Sequence, residues 1–183
     1  RIARFVCAGL PHHVTQRGNR RARVFFSNAA HLTYLALLRE YTVQHQVAVL
    51  AYCLMPNHVH LVLVPAARDS LPRALRHVHV RYAQRINRQR DWKGHLWQGR
   101  YYSSVLDEHH CWAAIRYVEL NPVRAGLVAQ AASAAADIRP KPRRDRLPDF
   151  SSSSLLCSVC SSHMSISHLN DAPVLDGRSL AAT

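Results

Sequence analysis

The sequence of 183 residues is short of acidic side chains. Eleven Asp and Glu stand against 24 Lys and Arg, which gives a formal charge of +13. A charge field this one-sided repels itself and attracts phosphate backbones, so nucleic acid is the first partner to expect. A membrane surface is the alternative, but the basic residues do not follow one long amphipathic helix, and we expect no membrane partner.

Long apolar runs and a regular set of cysteines are also missing. Apolar residues make up 48% of the chain, which is enough for a core, but no run is long enough to cross a bilayer. The five cysteines are an odd, irregularly spaced set, unlike the disulfide framework of a secreted domain. No charged-then-apolar leader precedes the first periodic segment. We therefore expect a soluble, cytoplasmic protein with one domain and an extension.

The hydrophobic pattern predicts a definite order of strands and helices. The predicted strands are residues 13–17, 47–53, 58–64 and 95–105, and the predicted helices are residues 28–46, 70–90 and 108–120. Turn-forming residues at 54–57 make the second and third strands an antiparallel hairpin. Pro122 disfavours helical geometry at Asn121 and predicts the end of the last helix there. The order indicates an α+β fold, an antiparallel sheet with its helices packed on one side.

His58 and His60 are candidate metal ligands. Strand alternation places both imidazoles on one face of the sheet, and a rigid strand fixes their separation. Neutral imidazole binds divalent ions well, although two partly exposed histidines without a ligand fit a bare H-x-H pattern equally often. Val62 occupies the next position on that face, where a histidine-triad hydrolase needs a third histidine. Val62 and Leu63 likewise argue against a metallo-β-lactamase-like site.

Tyr117 and Asn121 are four residues apart on the last predicted helix and so share one of its faces. A tyrosine hydroxyl can attack a phosphodiester when its proton is removed and a cation neutralises the phosphate, and an amide oxygen is a suitable ligand for Mg²⁺ or Mn²⁺. By spacing alone, a tyrosine packed on the sheet and an asparagine that caps the helix are the simpler interpretation. Four further tyrosines compete for the role of nucleophile: Tyr52, Tyr82, Tyr101 and Tyr102.

Basic stretches at residues 17–23 and 81–90, together with nearby aromatic rings, suit a nucleic acid with unpaired bases. Cations bind the phosphates and flat rings stack on the bases, which favours single strands or hairpin loops over duplex grooves. A solvated basic face with core aromatics is the alternative for any one residue. The candidate DNA-binding residues are Arg17, Asn19, Arg20, Arg21, Arg81, Arg85, Trp97, Gln98 and Arg100.

The composition changes after about residue 128 to alanines, a Pro/Arg run and serines. We expect residues 129–183 to form a low-complexity, flexible tail. Four residues of this tail are zinc-ligand types: Cys157, Cys160, His163 and His168. A zinc finger needs roughly a dozen residues between its cysteine and histidine pairs, so the close spacing argues against a zinc site.

Four ordered motifs carry a family resemblance: PHHVTQRGNR at 11–20, AYCLMPNHVHL at 51–61, GHLWQGR at 94–100 and RYVELNPVRAG at 116–126. Together they resemble the REP-associated tyrosine transposases, which belong to the single-tyrosine branch of the HUH endonucleases. The resemblance covers about residues 1–128, the predicted catalytic domain. The tail departs from the pattern, since relatives are expected to continue with a Trp-Ser-Ser segment.

The resemblance implies a role for each matching residue. It makes Tyr117 the nucleophile among the competing tyrosines and assigns a divalent metal, Mg²⁺ or Mn²⁺, to His58, His60 and Asn121. It also implies a ferredoxin-like HUH endonuclease fold and the cleavage and rejoining of single-stranded or hairpin DNA through a 5′-phosphotyrosine. No small-molecule cofactor is expected, and relatives occur as monomers or homodimers.

Two other functions remain open from the sequence. A catalytically decayed or domesticated relative would still bind structured DNA repeats through its basic charge, without turnover. A metal-dependent hydrolase would use water in place of tyrosine, and its cleavage would survive Tyr117→Phe.

Overall fold

A four-stranded sheet and three α-helices make up most of residues 5–126, the part of the chain that the computed structural model describes. The elements are β1 (His12–Arg17), α1 (Asn28–Gln44), β2 (Val47–Met55), β3 (His58–Pro65), α2 (Ser70–Arg90), β4 (Tyr102–Val105) and α3 (Glu108–Arg124). A short 3₁₀ turn, Asn19–Arg21, follows β1. The predicted tail and its cysteine and histidine group lie outside these residues. None of the helices within 5–126 combines the length and hydropathy of a membrane span.

The strands form one antiparallel sheet in the order β2-β3-β1-β4. β2 and β3 are the predicted hairpin, and β1 pairs with β3 on one side and with β4 on the other. This confirms the predicted α+β class with an antiparallel sheet. α1 connects β1 to β2, and α2 with the segment after it connects β3 to β4. β1 is therefore an inner strand of the sheet, between β3 and β4, although it comes first in the sequence.

Different helices cover the two faces of the sheet. Val14, Val59 and Leu61 point into a large core with α1 and α2, where Tyr34 and Tyr82 are fully buried. Ala51, Cys53 and Val62 point the other way, against Cys111 and Val118 of α3. The prediction that all helices pack on one side is therefore wrong for α3. The second half of β2 and nearly all of β3 are buried continuously, because both faces of these strands are covered.

Two predicted boundaries also differ from the structure. α3 continues through Pro122 to Arg124, since the amides of Ala125 and Gly126 still bond to carbonyls of the last turn. Pro122 removes only one helical hydrogen bond, and its ring is buried. The predicted strand at 95–105 is a continuous strand only from Tyr102 onward. Before it, Trp97 forms an isolated antiparallel bridge with Gly18, and Gly99, with a positive φ of 66°, turns the chain between the two paired parts.

Candidate active site

His58 and His60 lie side by side on the face of the sheet that α3 covers. Alternation along β3 places them there, opposite in direction to Val59 and Leu61. Their ring centroids are 4.9 Å apart and the ring planes are 78° from each other. His60 is buried, with 8% of its surface exposed, and His58 is half-buried. The pair is therefore accessible from one side.

Each of these rings has a partner that orients it. His58 Nδ1 lies 2.7 Å from the Asn57 Oδ1, so its N–H can donate to that amide oxygen. His60 Nδ1 lies 3.1 Å from His13 Nε2, with the two rings only 13° from parallel. The short nitrogen contact and the 5.3 Å centroid distance mean that these rings meet end to end, nearly in one plane. When Nδ1 carries the proton in these two contacts, Nε2 of each ring is unprotonated and is the nitrogen that can bind a metal.

The three histidines carry lowered pKa values. Burial, helped by the nearby His58, His13 and Arg17, lowers the pKa of His60 to about 4. Burial is the main cause for His58 as well, where the Arg17 charge adds to it, and burial alone lowers the pKa of His13. All three imidazoles are consequently neutral at pH 7, and the neutral form is the one that binds a metal.

The phenol ring of Tyr117, on α3, contacts the rings of His60 and His13. Its ring centroid is 5.5 Å from that of His60 and 6.3 Å from that of His13, in both cases edge to face. The side chain is 40% exposed, and the Arg124 guanidinium carbon is 5.7 Å from the ring centroid. Three of the competing tyrosines, Tyr52, Tyr82 and Tyr101, are buried in the α1/α2 core, and the fourth, Tyr102, is an exposed residue of β4.

Asn121 follows Tyr117 by one turn of α3, as the predicted spacing requires, and is half-buried. Within residues 5–126 no group of three or more His, Cys, Asp or Glu is arranged to hold a metal ion. His58 and His60 are two candidate ligands, and the amide oxygen of Asn121 is the candidate third ligand on α3. Two neutral imidazoles and one amide oxygen fit Mn²⁺ and, with added waters, Mg²⁺.

The basic loop after β1 borders the histidines. Arg17 pairs with His58 across the strands. Gly18 follows, and a Cβ there would lie 2.2 Å from the Ala22 carbonyl oxygen, so only glycine allows this tight turn. Arg20 and Arg21 then take positive φ angles of 52° and 61° and are exposed. The loop thus presents its guanidinium groups to solvent beside the candidate site.

The segment that follows α2 packs onto this basic loop. The amide of Asn19 donates to the Leu96 carbonyl and that of Gln98 to the Arg17 carbonyl, each at 2.8 Å. This brings the predicted residues Arg17, Asn19 and Gln98 together, with the exposed Arg100 two residues further along the chain. Arg81 and Arg85 are exposed on α2, which packs against the opposite face of the sheet. They belong to a different surface.

Trp97 is a core residue, which corrects its prediction as a base-stacking ring. Its side chain is 8% exposed, and its Nε1 donates to the His79 carbonyl oxygen at 3.0 Å. It packs against Tyr34 and Tyr82 at centroid distances of 6.3 and 5.8 Å. A ring enclosed in this way has no free face for a base.

Two residues of the site were not singled out from the sequence, His13 and Arg124. Each lies within a motif that carries the family resemblance. Their contacts depend on the pairing of β1 with β3 and on the extension of α3 beyond Pro122. The alternation of His13 with Val14 is the one signal that could have placed it on the histidine face.

The family model "Transposase IS200 like" matches residues 7–121, a span that contains every element from β1 to Asn121 of α3. The chain belongs to the IS200-like transposases. It is accordingly a transposase, a class of DNA-cutting enzyme, and the histidine pair, Tyr117 and Asn121 all fall inside the matched residues.

Two solved structures are similar to this chain. A REP-associated tyrosine transposase bound to a REP hairpin matches with a TM-score of 0.62 at 17% identity, over 86% of this chain and 99% of its own. A protein of Deinococcus radiodurans R1 described as a transposase matches with a TM-score of 0.46 at 22% identity, over 65% of this chain and 95% of its own. No curated protein sequence gives a significant match. The first match confirms the ferredoxin-like arrangement of sheet and helices.

Proposed function

We propose that this transposase cleaves and rejoins single-stranded DNA next to a hairpin, with Tyr117 as its nucleophile. The observation that carries the proposal is the edge-to-face contact of Tyr117 with His60, at a centroid distance of 5.5 Å. It brings a partly exposed phenol beside His60, one of the two candidate metal ligands of β3. The similar protein bound to a REP hairpin supports a hairpin as the substrate.

In the proposed step, the Tyr117 hydroxyl oxygen attacks the scissile phosphorus and loses its proton to solvent. The bond from phosphorus to the 3′ oxygen breaks, and that oxygen leaves as a 3′-hydroxyl after taking up a proton. The product is a 5′-phosphotyrosine that keeps one phosphodiester bond, so the 3′-hydroxyl can attack it and restore the DNA without ATP. Arg124, whose guanidinium carbon is 5.7 Å from the centre of the Tyr117 ring, would stabilise the negative charge that develops during the attack.

His58, His60 and Asn121 would hold a divalent ion, whose chemistry is to neutralise the scissile phosphate and polarise it for attack. The protein keeps the two imidazoles neutral and correctly oriented. Burial holds the imidazoles neutral, and Asn57 and His13 orient them through Nδ1. The arginine loop beside His58 binds the phosphates on either side of the cut.

The test is a denaturing gel of the protein with end-labelled hairpin DNA from the flanks of its own gene. Wild type with Mn²⁺ is expected to form a covalent protein–DNA adduct, and EDTA or Tyr117→Phe is expected to abolish it. Tyr102→Phe is the matched control, because it removes an exposed tyrosine hydroxyl outside the histidine contact. Hairpin binding without any adduct would indicate a decayed binding protein, and cleavage by Tyr117→Phe would indicate a water-using hydrolase.

A further inference from the structure

An exposed tryptophan follows α2 and has no part in the proposed cleavage. Trp92 is 45% exposed, whereas the tryptophan of the neighbouring segment, Trp97, is a core residue. Phe26, just before the start of α1, meets the Trp92 ring edge to face at a centroid distance of 5.5 Å and an angle of 82°. The indole is therefore anchored by one neighbour and still open to solvent.

The backbone and a cation fix this ring further. Asp91 ends α2 in the left-handed conformation, and the amide of Trp92 donates to the Asn87 carbonyl at 2.8 Å. The Arg90 guanidinium carbon lies 3.7 Å from the centre of Phe26 and 5.6 Å from that of Trp92. A ring that is already held in place loses little conformational entropy when a ligand stacks on it.

The charges around Trp92 favour an anionic ligand. Arg88, Arg90 and Lys93 are exposed, and Asp91 is the one acidic residue between 88 and 93. Cations that flank an exposed aromatic ring match a nucleotide strand, in which phosphates alternate with flat bases. A neutral protein surface would leave the three cations without a counter-charge, and an acidic surface without flat rings would leave the indole without a stacking partner.

We infer that Trp92 and its neighbouring cations form an accessory site for an unpaired nucleotide, with the base stacked on the indole and the phosphates near Arg88 and Lys93. The inference rests on the proposed action on single-stranded DNA. It adds a contact that the motif-based predictions did not include.

The turn between β2 and β3 contacts both the segment before α1 and His58. The amide of Phe25, next to Phe26, donates to the Pro56 carbonyl at 3.1 Å in the turn between β2 and β3. Asn57 of the same turn contacts His58. In the inferred arrangement, one strand of DNA extends from the histidines past this turn to Trp92. Because the ring contacts of Trp92 are with Phe26 and Arg90, and those of Tyr117 are with His60 and His13, Trp92 should contribute to binding and leave the chemical step unchanged.

The binding test uses fluorescence anisotropy with labelled hairpins that carry an unpaired extension, in EDTA so that no cleavage occurs. Trp92→Ala is expected to raise the Kd about 10-fold, because one base-stacking contact is lost. Trp92→Tyr keeps a flat ring and is expected to stay within about threefold of wild type. Val43→Ala, which shortens a residue that is 73% exposed at the end of α1, is the control and should leave the Kd unchanged.

A second measurement locates the contact directly. Ultraviolet cross-linking of hairpins with 5-iodouracil in the extension, followed by mass spectrometry, is expected to give a peptide joined at Trp92. Wild-type affinity in Trp92→Ala together with cross-links elsewhere would overturn the inference. So would a change in the protein's mass in solution without a change in Kd, since the patch would then be an interface between copies.

The adduct assay keeps the two proposals distinguishable. A short, saturating hairpin without the extension should form the Tyr117 adduct at the wild-type rate in Trp92→Ala. Absence of adduct from wild type would contradict the cleavage proposal and leave the binding result at Trp92 intact. A slower adduct in Trp92→Ala under saturation would overturn the accessory role, because the residue would then act on the chemical step.

Discussion

The two faces of the sheet differ in what their side chains do, although the same strands form both. The α1/α2 face is a dry aromatic and aliphatic core, in which Tyr34, Tyr82, Leu61 and Leu63 are fully buried. The α3 face has a smaller apolar cluster and, beside it, the histidines with Tyr117. Neighbouring residues of β3 belong to different faces. The large core can thus hold the strand rigid while the other face keeps polar groups near solvent.

The sharpest way to break this comparison is to truncate adjacent residues of β3. Leu61→Ala removes a fully buried side chain from the α1/α2 core and should lower the free energy of unfolding by about 2–5 kcal/mol. His60→Ala should instead abolish the proposed metal-dependent DNA adduct, because it removes a proposed metal ligand. Urea unfolding and the adduct gel measure the two effects.

The comparison fails if the two variants behave alike. A loss of stability in His60→Ala as large as that in Leu61→Ala would make His60 a structural residue. Retention of full adduct formation by a folded His60→Ala would remove it from the metal site.

The orientation of His60 by His13 predicts a smaller effect on the same face. His13→Leu takes away the nitrogen 3.1 Å from His60 Nδ1 and should weaken Mn²⁺ binding about 10- to 100-fold, as loss of a ligand's hydrogen-bond partner does. His13→Gln offers an amide oxygen in its place and should recover most of the affinity. Electron paramagnetic resonance of free Mn²⁺ at pH 7 measures both. Equal affinity of His13→Leu and wild type would show that the contact has no orienting role.

The α3 face should also make the fold sensitive to acid. The pKa of His60 is lowered from 6.5 to about 4, so between these values the unfolded chain takes up a proton that the folded protein does not. The free energy of unfolding should therefore fall as the pH drops from 6.5 to about 4. Above pH 6.5, His60 should cause no change of this free energy with pH. Urea unfolding at several pH values should show a shallower decline in His60→Asn. An identical pH dependence in the variant would contradict the assigned shift.

The smallest expected effect tests the corrected position of Trp97. Trp97→Phe loses the bond to the His79 carbonyl and part of the core volume, which should cost about 1–3 kcal/mol of unfolding free energy. DNA affinity should stay at the wild-type level in the folded variant. A drop in affinity with unchanged stability would restore Trp97 as a DNA contact.

Local sequence patterns predicted most of the fold, because the apolar residues of these strands and helices recur at the spacing of a strand or a helix. The β2–β3 hairpin and α2 have the expected places, and the helix spacing of Tyr117 and Asn121 is kept. The side of the sheet that α3 covers was predicted wrongly. Strand alternation assigns residues to faces, but the continuous apolar run of β3 shows only that both faces are buried, without saying which helix buries each.

The candidate site shows the same limit of local patterns. Alternation alone placed His58 and His60 on one face, while the end-to-end contact with His13 depends on the pairing of β1 with β3. Aromatic residues next to basic ones were equally ambiguous. Trp97 and Tyr101 are buried, whereas Tyr102 and Trp92 are exposed. Trp92 is exposed because the short turn after α2 leaves it outside the core.

The most direct test is to identify the residue that becomes linked to DNA. The protein would be reacted with hairpin DNA and Mn²⁺, digested with protease and nuclease, and examined by tandem mass spectrometry. We expect a nucleotide attached through its 5′ phosphate to Tyr117. A nucleotide attached to another residue, or cleaved DNA with no attached nucleotide, would contradict the assignment of Tyr117 as the nucleophile.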